Sequence, residues 1–373
     1  MTKIPIEQLT PPKLTSETIA QKIVSTRPMR EGKFNISLNT SETQRIVHCY
    51  GHGGSGWATL FGSIEKAIRL FEESCPDKKA AVRIVGSGCM GLTTAIELSR
   101  RGYKIAGITT KSLYNTTSWD AGGYFALVSI KTSDDAQLDL HEIGMRSFLV
   151  YQQIQEGRHP YLSSQAVRYM PVYCHRDTET GIEDLEKRGL IPPRVELTLD
   201  FGNGVLHPHF FKYMTYFMNV TQLMQELIAE VMKRKIPIQI EEVHHFNEIE
   251  EETIFNCTGL GSRTLNSDQA LIPVRGHLVT LNAQAGTGHM DYMIYTSLMQ
   301  EGKEEYIYLF PKDLTIAGDA PTGSSCRGVL GGTFIEHADR LSPAEMKKLD
   351  ETEFKRMLDR HSLFFYGKSL HLI

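Results

Sequence analysis

Ala81-Val82-Arg83-Ile84-Val85-Gly86-Ser87-Gly88-Cys89-Met90-Gly91-Leu92 is the stretch that decides the fold. A short apolar run leads into Gly-x-Gly-x-x-Gly, and the following residues continue at helical spacing. Gly86 permits a tight turn, Gly88 lets a pyrophosphate approach the backbone, and Gly91 lets the helix pack closely on the strand. The free N–H groups at the start of the helix would face the phosphates. The stretch therefore predicts a dinucleotide site.

Composition excludes several classes of function. The chain has 373 residues, enough for one large domain or two of ordinary size, and 41% of them are hydrophobic. The 40 basic and 44 acidic residues give a net charge of −4, which does not suggest binding to nucleic acid or to an anionic membrane. Six scattered cysteines without a Cys-x-x-Cys pair favour reduced thiols. Because no signal-peptide or membrane-spanning pattern is found, we expect a cytoplasmic protein with no membrane span.

A second glycine-rich segment stands ahead of the first. Residues 45–50 predict a strand, Gly51-His52-Gly53-Gly54-Ser55-Gly56-Trp57 a turn, and residues 64–71 a helix. Trp57 stands where a phosphate loop would have its lysine, which disfavours a nucleoside-triphosphate site. A turn without function is one alternative. Four glycines within six residues instead favour backbone lying flat against a large planar ligand.

The remaining elements predict an α/β part followed by an α+β part. Further strands are predicted at 103–108, 236–240, 253–259, 276–281, 306–310 and 314–317. Helices are predicted at 220–232 and at 342–365, the second with a capping pattern at its start. We expect residues 1–22 to be irregular, and residues 131–218 show no clear pattern. The order predicts a nucleotide domain interleaved with a substrate domain, the later strands forming a mostly antiparallel sheet.

The residue expected to hold an adenosine ribose is unusual. An acidic side chain near the end of the second strand normally has this role, and here that place falls at Thr109-Thr110-Lys111. A threonine hydroxyl could replace one carboxylate hydrogen bond. Alternatively, Lys111 could meet a 2′-phosphate, which would make this an NADP site.

Ile46-Val47-His48-Cys49-Tyr50-Gly51-His52-Gly53-Gly54-Ser55-Gly56-Trp57 resembles the flavin-binding signature of the D-amino-acid oxidase family, which in that family lies near the C-terminus. The preceding Thr26-Arg27-Pro28-Met29-Arg30 and Asn35-Ile36-Ser37-Leu38 resemble the segment just before that signature. From about residue 81 onward the chain resembles the N-terminal order of the family, including the flavin-cradling loop at Asn115-Thr116-Thr117-Ser118-Trp119-Asp120-Ala121-Gly122-Gly123.

Later segments extend the resemblance over most of the chain, least over residues 131–218. They are Ile254-Phe255-Asn256-Cys257-Thr258-Gly259, Pro273-Val274-Arg275-Gly276-His277 and Gly331-Gly332-Thr333-Phe334. The order of the segments implies a circular permutation in which the family's original ends are joined through Pro76–Lys79. Permutation is physically plausible because domain termini often lie close together at the surface.

The resemblance implies a Rossmann-like FAD-binding α/β domain of the glutathione-reductase type, comprising residues 40–130 and 240–268. It implies an α+β substrate domain comprising residues 10–39, 131–239 and 269–373. The expected FAD contacts are Gly53, Gly54, Ser55, Gly56, Trp57, Ala58, Gly86, Ser87, Gly88, Met90, Gly91, Thr109, Thr110, Thr116, Thr117, Ser118, Ala121, Gly122, Gly123, Val243, Cys257, Thr258 and Gly259.

The resemblance also implies oxidative deamination of an amino acid, most simply a D-amino acid or a glycine-like amine. A hydride leaves the substrate α-carbon for the flavin, giving an imino acid, and dioxygen then accepts the electrons as hydrogen peroxide. Arg27 is expected to bind the substrate carboxylate through two hydrogen bonds. Tyr308 completes this clamp, with Tyr306 as a second candidate on the same strand face, and the carbonyl of Gly54 holds the amine.

Some positions depart from the family pattern. No aromatic residue stands at Glu304, where the family has its lid tyrosine, and Phe125 stands where a polar side chain lies above the flavin. A dehydrogenase with another electron acceptor and a flavin-binding protein without catalysis therefore stay open as alternatives, beside an NADP-linked reductase. A covalent flavin tether at His48, Cys49 or His52 is disfavoured by the resemblance, and no metal site is expected.

Overall fold

The computed structural model describes residues 4–74, 79–282, 290–300, 302–312 and 327–372. Its strands are β1 (Ile6–Gln8), β2 (Ile19–Arg30), β3 (Asn35–Thr40), β4 (Arg45–Tyr50), β5 (Ala81–Val85), β6 (Lys104–Thr110), β7 (Val167–His175), β8 (Val195–Asp200), β9 (Leu206–Met218), β10 (Ile238–Ile240), β11 (Thr253–Asn256), β12 (Leu271–Leu281), β13 (Met293–Gln300), β14 (Lys303–Lys312), β15 (Arg327–Gly331) and β16 (Ile335–Glu336). Its helices are α1 (Gly56–Ser74), α2 (Cys89–Arg100), α3 (Thr117–Asp120), α4 (Gln137–Gln155), α5 (Glu183–Lys187), α6 (Val220–Lys233), α7 (Ser262–Leu265) and α8 (Pro343–Tyr366).

The smaller sheet carries both glycine-rich turns. Its described strands have the order β10-β6-β5-β11-β4-β3, with β3 antiparallel to β4 and the other pairs parallel. Phe255 of β11 lies beside Ile84 of β5 on one side and Val47 of β4 on the other. Because β4 and β5 both run parallel to β11, their carboxyl ends reach the same edge of the sheet. The two turns, which follow these strands, therefore lie at one edge.

Helices cover this sheet and pack closely against one another. α1 packs on α4, and α2 packs on α6. The closest approach is at Gly62 of α1, where a Cβ atom would lie 2.2 Å from the carbonyl oxygen of Ile143 in α4. The hydroxyl of Ser147 also accepts a hydrogen bond from the Gly62 N–H at 2.9 Å. Only glycine permits this contact.

The larger sheet is mostly antiparallel, as the sequence predicts. Its order among the described strands is β1-β8-β9-β7-β13-β14-β15-β12-β16, and β2 pairs with β12. The pairs β1–β8 and β7–β13 are parallel. Arg27 of β2 lies opposite Val274, and Tyr308 of β14 lies opposite Gly331. The sheet thus brings Arg27 and Tyr308, far apart in sequence, towards the smaller sheet.

The expectation of an irregular N-terminal segment is wrong over part of its length. Residues 6–8 form β1, and β2 begins at Ile19 and runs for 12 residues. Most of β2 is only half-buried, so the local pattern of apolar residues is weak. The strand is held by its long antiparallel pairing with β12, a contact that local propensity does not reveal.

The predictions for β4 and for the start of α8 are confirmed. β4 has the predicted bounds, and α8 begins with the predicted capping box, in which Ser342 and Glu345 bond each other's backbone N–H. Within the described residues, no helix is long and apolar enough to cross a bilayer. Cys49, Cys89, Cys174 and Cys257 are free thiols. Cys75, Cys326, the predicted strand 314–317 and residues 76–78 of the expected junction lie outside the described residues.

We predict that Gly62→Ala lowers the free energy of unfolding by about 1–3 kcal/mol, because its methyl group would overlap the Ile143 carbonyl. Arg69→Ala is the matched control, since Arg69 is an exposed residue of the same helix. This control should stay within about 0.5 kcal/mol of the unmodified protein. Denaturant unfolding monitored by far-UV circular dichroism measures both, and equal stability of the two variants would contradict the prediction.

Candidate cofactor and substrate site

A cavity of about 800 Å³ lies where the two glycine-rich turns meet the larger sheet. Its volume is in the range of small-molecule sites. The residues expected from the sequence that line it are Arg27, Gly53, Gly54, Gly56, Trp57, Ala58, Gly86, Ser87, Gly88, Met90, Thr109, Thr110, Thr116, Thr117, Ser118, Ala121, Gly122, Gly123, Val243, Cys257, Thr258, Gly259 and Tyr308. The structure does not place Ser55, Gly91 or Tyr306 in the wall.

The three glycines of the first turn have three different surroundings. Gly86 has φ of +104°, and a Cβ atom there would lie 2.5 Å from the carbonyl oxygen of Cys257. At Gly91 a Cβ atom would lie 1.9 Å from the carbonyl oxygen of Gly86, so this glycine serves packing and does not reach the cavity. At Gly88 the nearest atom is the Ser118 hydroxyl oxygen at 3.0 Å. Gly88 therefore leaves backbone open towards the cavity.

Carboxylates do reach the end of the cavity beside Thr109 and Thr110, directly after the strand predicted at 236–240, although sequence reasoning did not assign them a role. Glu241 and Glu242 follow β10, and the Glu241 N–H donates to the Thr110 carbonyl at 2.9 Å. Glu242 lies 3.0 Å from the ammonium group of Lys111, so the charge of Lys111 is compensated. The signal available in the sequence was the pair of acids directly after the strand.

The second turn is fixed by hydrogen bonds to its neighbours. Gly53 donates to the Pro28 carbonyl at 2.9 Å, and Gly54 donates to the Ser129 carbonyl at 2.7 Å. Ser55 lies outside the cavity wall, and its hydroxyl donates to the Val128 carbonyl. This hydrogen bond helps to fix the conformation of the turn.

Trp57, which replaces the lysine of a phosphate loop, ties the turn to the segment 116–123. Its indole N–H donates to the Ser118 carbonyl at 3.0 Å, and its own carbonyl accepts from the Tyr151 hydroxyl at 2.7 Å. Both glycine turns therefore contact the same segment, because Ser118 also accepts at its hydroxyl from the N–H of Cys89 at 3.0 Å.

Burial keeps the wall near the second turn uncharged. It lowers the pKa of His52 to about 3 and of His48 to about 4, the latter against the opposing effect of Asp268. Burial also raises the pKa of the Cys49 thiol. At neutral pH these three groups carry no charge.

The Arg27 guanidinium places a positive charge in the cavity wall. Its guanidinium donates to the Thr333 carbonyl at 3.1 Å and lies 4.4 Å from the centre of the Phe334 ring. Gly276 makes room for it, since a Cβ atom there would lie 2.5 Å from Nη1 of Arg27. Among the residues that the structure describes, no carboxylate pairs with this guanidinium.

Tyr308 lies against Arg27. Burial raises the pKa of Tyr308, and a hydrogen bond from the Arg27 guanidinium acts in the opposite direction. The phenol lies over Gly331, where a Cβ atom would be 2.1 Å from the hydroxyl oxygen. Because Arg27 donates to the Tyr308 oxygen, the hydroxyl proton of Tyr308 is left for another acceptor.

Tyr306 lies outside the cavity wall, half-buried, with its ring 5.4 Å from that of Phe334. Sequence reasoning missed Tyr295, which lines the cavity from β13 directly opposite Tyr308. The alternation in Tyr292–Leu298 was the available signal. Phe125, expected near a flavin, is instead fully buried and absent from the wall, with its ring 5.3 Å from that of Phe148.

Lys312 holds the segment 116–123 onto β14. Its side chain is buried, and its ammonium group donates to the carbonyls of Trp119 at 2.8 Å and Ala121 at 2.9 Å. Burial lowers the pKa of Lys312 to about 8, while Asp120 acts to raise it. A Cβ atom at Gly122 would lie 2.6 Å from the Phe310 ring, so this segment lies flat against the strand.

Comparisons with known proteins identify the family. A family model described as FAD dependent oxidoreductase matches residues 81–362. A D-amino-acid oxidase from Streptomyces coelicolor is 26% identical over 247 residues, which cover 65% of this chain and 71% of that protein. Among solved structures, iminodiacetate oxidase (IdaA) from Chelativorans sp. BNC1 has a TM-score of 0.48 at 12% identity over 77% of this chain and 79% of that one. L-Proline dehydrogenase from P. horikoshii has a TM-score of 0.46 at 15% identity over 75% of this chain and 77% of that one.

The residues of the cavity fit FAD. Gly88 leaves the start of α2 open to phosphates, and Glu241 and Glu242 line the end where ribose hydroxyls would lie. The NADP alternative for Lys111 is wrong, because the matched family uses FAD and Lys111 is paired with Glu242.

We predict that Gly88→Ala and Gly91→Ala separate ligand contact from packing. The methyl group at Gly88 would meet only the Ser118 hydroxyl oxygen, at 3.0 Å, but would fill space beside the pyrophosphate, so FAD content should fall while the fold persists. The methyl group at Gly91 would collide with the Gly86 carbonyl, so the melting temperature should fall. Flavin absorbance and thermal unfolding measure the two effects. Full flavin content in Gly88→Ala would contradict the assignment.

We predict that stability rises with pH between about 8 and 10.5 because of Lys312. In this window the unfolded chain keeps the proton that buried Lys312 has lost, so the gain reaches about 1.4 kcal/mol per pH unit. Below pH 8 the full cost of burying the charge is present. The difference in unfolding free energy between the unmodified protein and Lys312→Met should therefore increase across the window. Exposed Lys104→Met is the control, and parallel curves for the unmodified protein and Lys312→Met would refute the prediction.

Proposed function

This chain belongs to the FAD-dependent oxidoreductase family, with FAD as its cofactor, and on that premise we propose that it oxidises the amine-bearing carbon of an amino acid. The substrate class is a D-amino acid or a glycine-like amine, and the products are an imino acid and, with dioxygen as acceptor, hydrogen peroxide. The observation that carries the proposal is the Arg27 guanidinium, which lines the cavity without a carboxylate partner among the described residues.

Arg27 and Tyr308 form the carboxylate clamp in this proposal. The planar guanidinium can donate two parallel hydrogen bonds to a carboxylate, which fixes the rotation of the substrate as well as its position. The Tyr308 hydroxyl, already accepting from Arg27, donates its proton to the same carboxylate. The positive charge of Arg27 would otherwise be costly to bury, and a substrate carboxylate would compensate it.

Gly54 lies next to this clamp, since a Cβ atom there would be 3.4 Å from Cδ of Arg27. We assign its carbonyl to accept a hydrogen bond from the substrate amine. When bound, FAD supplies the acceptor for the hydride. The chain itself orients the substrate, whose amine must be neutral for hydride transfer, and the stacked rings of Tyr308 and Phe310, 4.8 Å apart, keep water from that side.

We also propose that the chain is a circular permutation of its family. The family match begins at residue 81, the first residue of β5, so β4 and the second glycine turn lie outside it. Yet β4 is an inner strand of the smaller sheet, paired with β11, and the turn after it lines the cavity. This supports the two-domain division at 40–130 with 240–268 and 10–39 with 131–239 and 269–373, although β3 and β10 extend the smaller sheet slightly beyond these bounds.

Anaerobic bleaching of the bound flavin by a panel of amino acids tests the proposed function without presupposing an acceptor. Bleaching by D-amino acids or by glycine-like amines, but not by the matching L-amino acids, is the expected result. Peroxide release on admitting oxygen then distinguishes an oxidase from a dehydrogenase. A holoenzyme that no amino acid or amine bleaches would contradict the proposal.

We predict that Arg27→Ala raises the KM of the substrate about 100-fold, a loss of roughly 3 kcal/mol, with flavin content retained. Arg30→Ala is the matched control on the same strand. Its guanidinium is 2.8 Å from Asp268, so its loss should lower stability and leave KM nearly as it was. Steady-state kinetics and flavin absorbance measure both variants, and an equal loss of flavin in Arg27→Ala would remove the clamp assignment.

A further inference from the structure

One face of β14 runs from the surface into the cavity. Alternate residues of a strand share a face, and here Glu304, Tyr306, Tyr308 and Phe310 follow one another. Glu304 is exposed, Tyr306 is half-buried, and Tyr308 and Phe310 are buried. Moving outward from Tyr308, where Arg27 binds, the strand therefore offers first an aromatic ring and then a carboxylate.

A second carboxylate joins Glu304 at this outer end. Burial raises the pKa of Tyr306, and Glu304 raises it further both by its charge and by accepting a hydrogen bond, with a smaller effect from Glu179. Burial likewise raises the pKa of Tyr295, again with a contribution from Glu179. In the described part of the chain, neither Glu179 nor Glu304 forms an ion pair with a cationic side chain. Among the described side chains, the outer end thus carries two negative charges without an ion-pair partner.

Glu179 is held in this place by its neighbour. The hydroxyl of Thr178 accepts from the N–H of Ser297 at 3.0 Å, and Ser297 lies directly opposite Tyr306 in the β13–β14 pair. Glu179 thus belongs to the segment after β7, and the neighbouring Thr178 ties this segment to β13 opposite Tyr306.

The Tyr295 hydroxyl gives an independent sign of a ligand. Its side chain is only 5% exposed and lines the cavity, and its hydroxyl has no hydrogen-bond partner among the described residues. The Tyr295 hydroxyl is therefore open to the cavity, where it can donate to or accept from a bound ligand. The Tyr295 ring lies 5.9 Å from that of Tyr306, and aromatic faces also attract cations.

We propose that the preferred substrates carry a cationic side chain, an amino or guanidino group on a stem of three or four carbons. The inference rests on the proposed function, because it takes the Arg27–Tyr308 clamp as the anchor of the carboxylate. Two residues along a strand span roughly 7 Å, so Tyr306 lies about that far outward from Tyr308. The methylene stem of an arginine or lysine substrate bridges a comparable distance along apolar surface. Its charged group then lies between the two tyrosine rings and the carboxylates of Glu179 and Glu304.

The test compares D-arginine and D-lysine with D-glutamine and D-norleucine in anaerobic bleaching of the full-length holoenzyme. We expect the second-order rate constant of bleaching to be at least about tenfold higher for the cationic substrates, with a preference that weakens as salt is added. In the double variant Glu179→Gln with Glu304→Gln, the ratio of this rate constant for cationic to neutral substrates should fall about tenfold, mainly because the cationic substrates bind more weakly. Glu351→Gln removes the same charge from an exposed position of α8 and should leave the ratio unchanged.

Two outcomes overturn the inference while the proposed function stands. One is equal or faster bleaching by D-norleucine in the unmodified protein, and the other is an unaltered ratio in the double variant. Absence of bleaching by every member of a broader amino-acid panel would instead contradict the proposed function itself.

Discussion

The site depends on the parallel pairing of β11 with both β4 and β5. The four residues of β11 are fully buried, as expected of a central parallel strand, and its register fixes which residues of β4 and β5 end together. A one-residue slip on either side would move one glycine turn relative to the other by about 3.3 Å and reverse its side chains. Asn256 reinforces this register, because its amide bonds the His48 ring of β4 at 3.1 Å and the Ser262 hydroxyl at 3.0 Å. Two turns separated by about thirty residues of chain thereby act as a single cradle.

Charge is distributed along the cavity in a way that composition does not show. Glu241 and Glu242 line one end, Arg27 lines the other, and the neutral side chains of His52 and Cys49 lie between them. The low polarity of this middle part strengthens the electrostatic effect of the charges at both ends. Lys312 is the exception, a buried cation whose charge faces backbone carbonyls and Asp120. Its effect is mechanical, since it binds the segment 116–123 to the strand that carries Tyr308.

The sequence predicts the local elements of the site well and the long-range ones poorly. Both glycine turns and the Arg27–Tyr308 pairing lie where the motifs indicate, because turn geometry demands glycine at particular residues such as Gly86. Glu241, Tyr295 and Lys312 were missed for a common reason. Each reaches the site through strand pairing or burial, so the local sequence pattern alone does not show that it lies at the cavity. β2 was missed in the same way, since its partner β12 lies more than two hundred residues away. Gly91, by contrast, belongs to the motif but contributes packing, so a motif residue is not always a contact residue.

β14 connects the substrate end of the cavity to the cofactor end. Tyr308 and Phe310 face the cavity. Two residues further along β14, Lys312 binds the segment 116–123, which both glycine turns contact through Ser118. The hairpin with β13 fixes the register of this strand, with Gln300 opposite Lys303, and pairs Tyr295 with Tyr308. Glu304, where the resemblance to the D-amino-acid oxidase family implies a lid tyrosine, lies on this hairpin opposite Met299. The aromatic side chains that remain lie on regular strands, and side chains on strands are held more rigidly than side chains on loops. In the proposed function, the geometry of the substrate end is thus set by the sheet, and we infer that its selectivity is set by the charges at the outer end of that sheet.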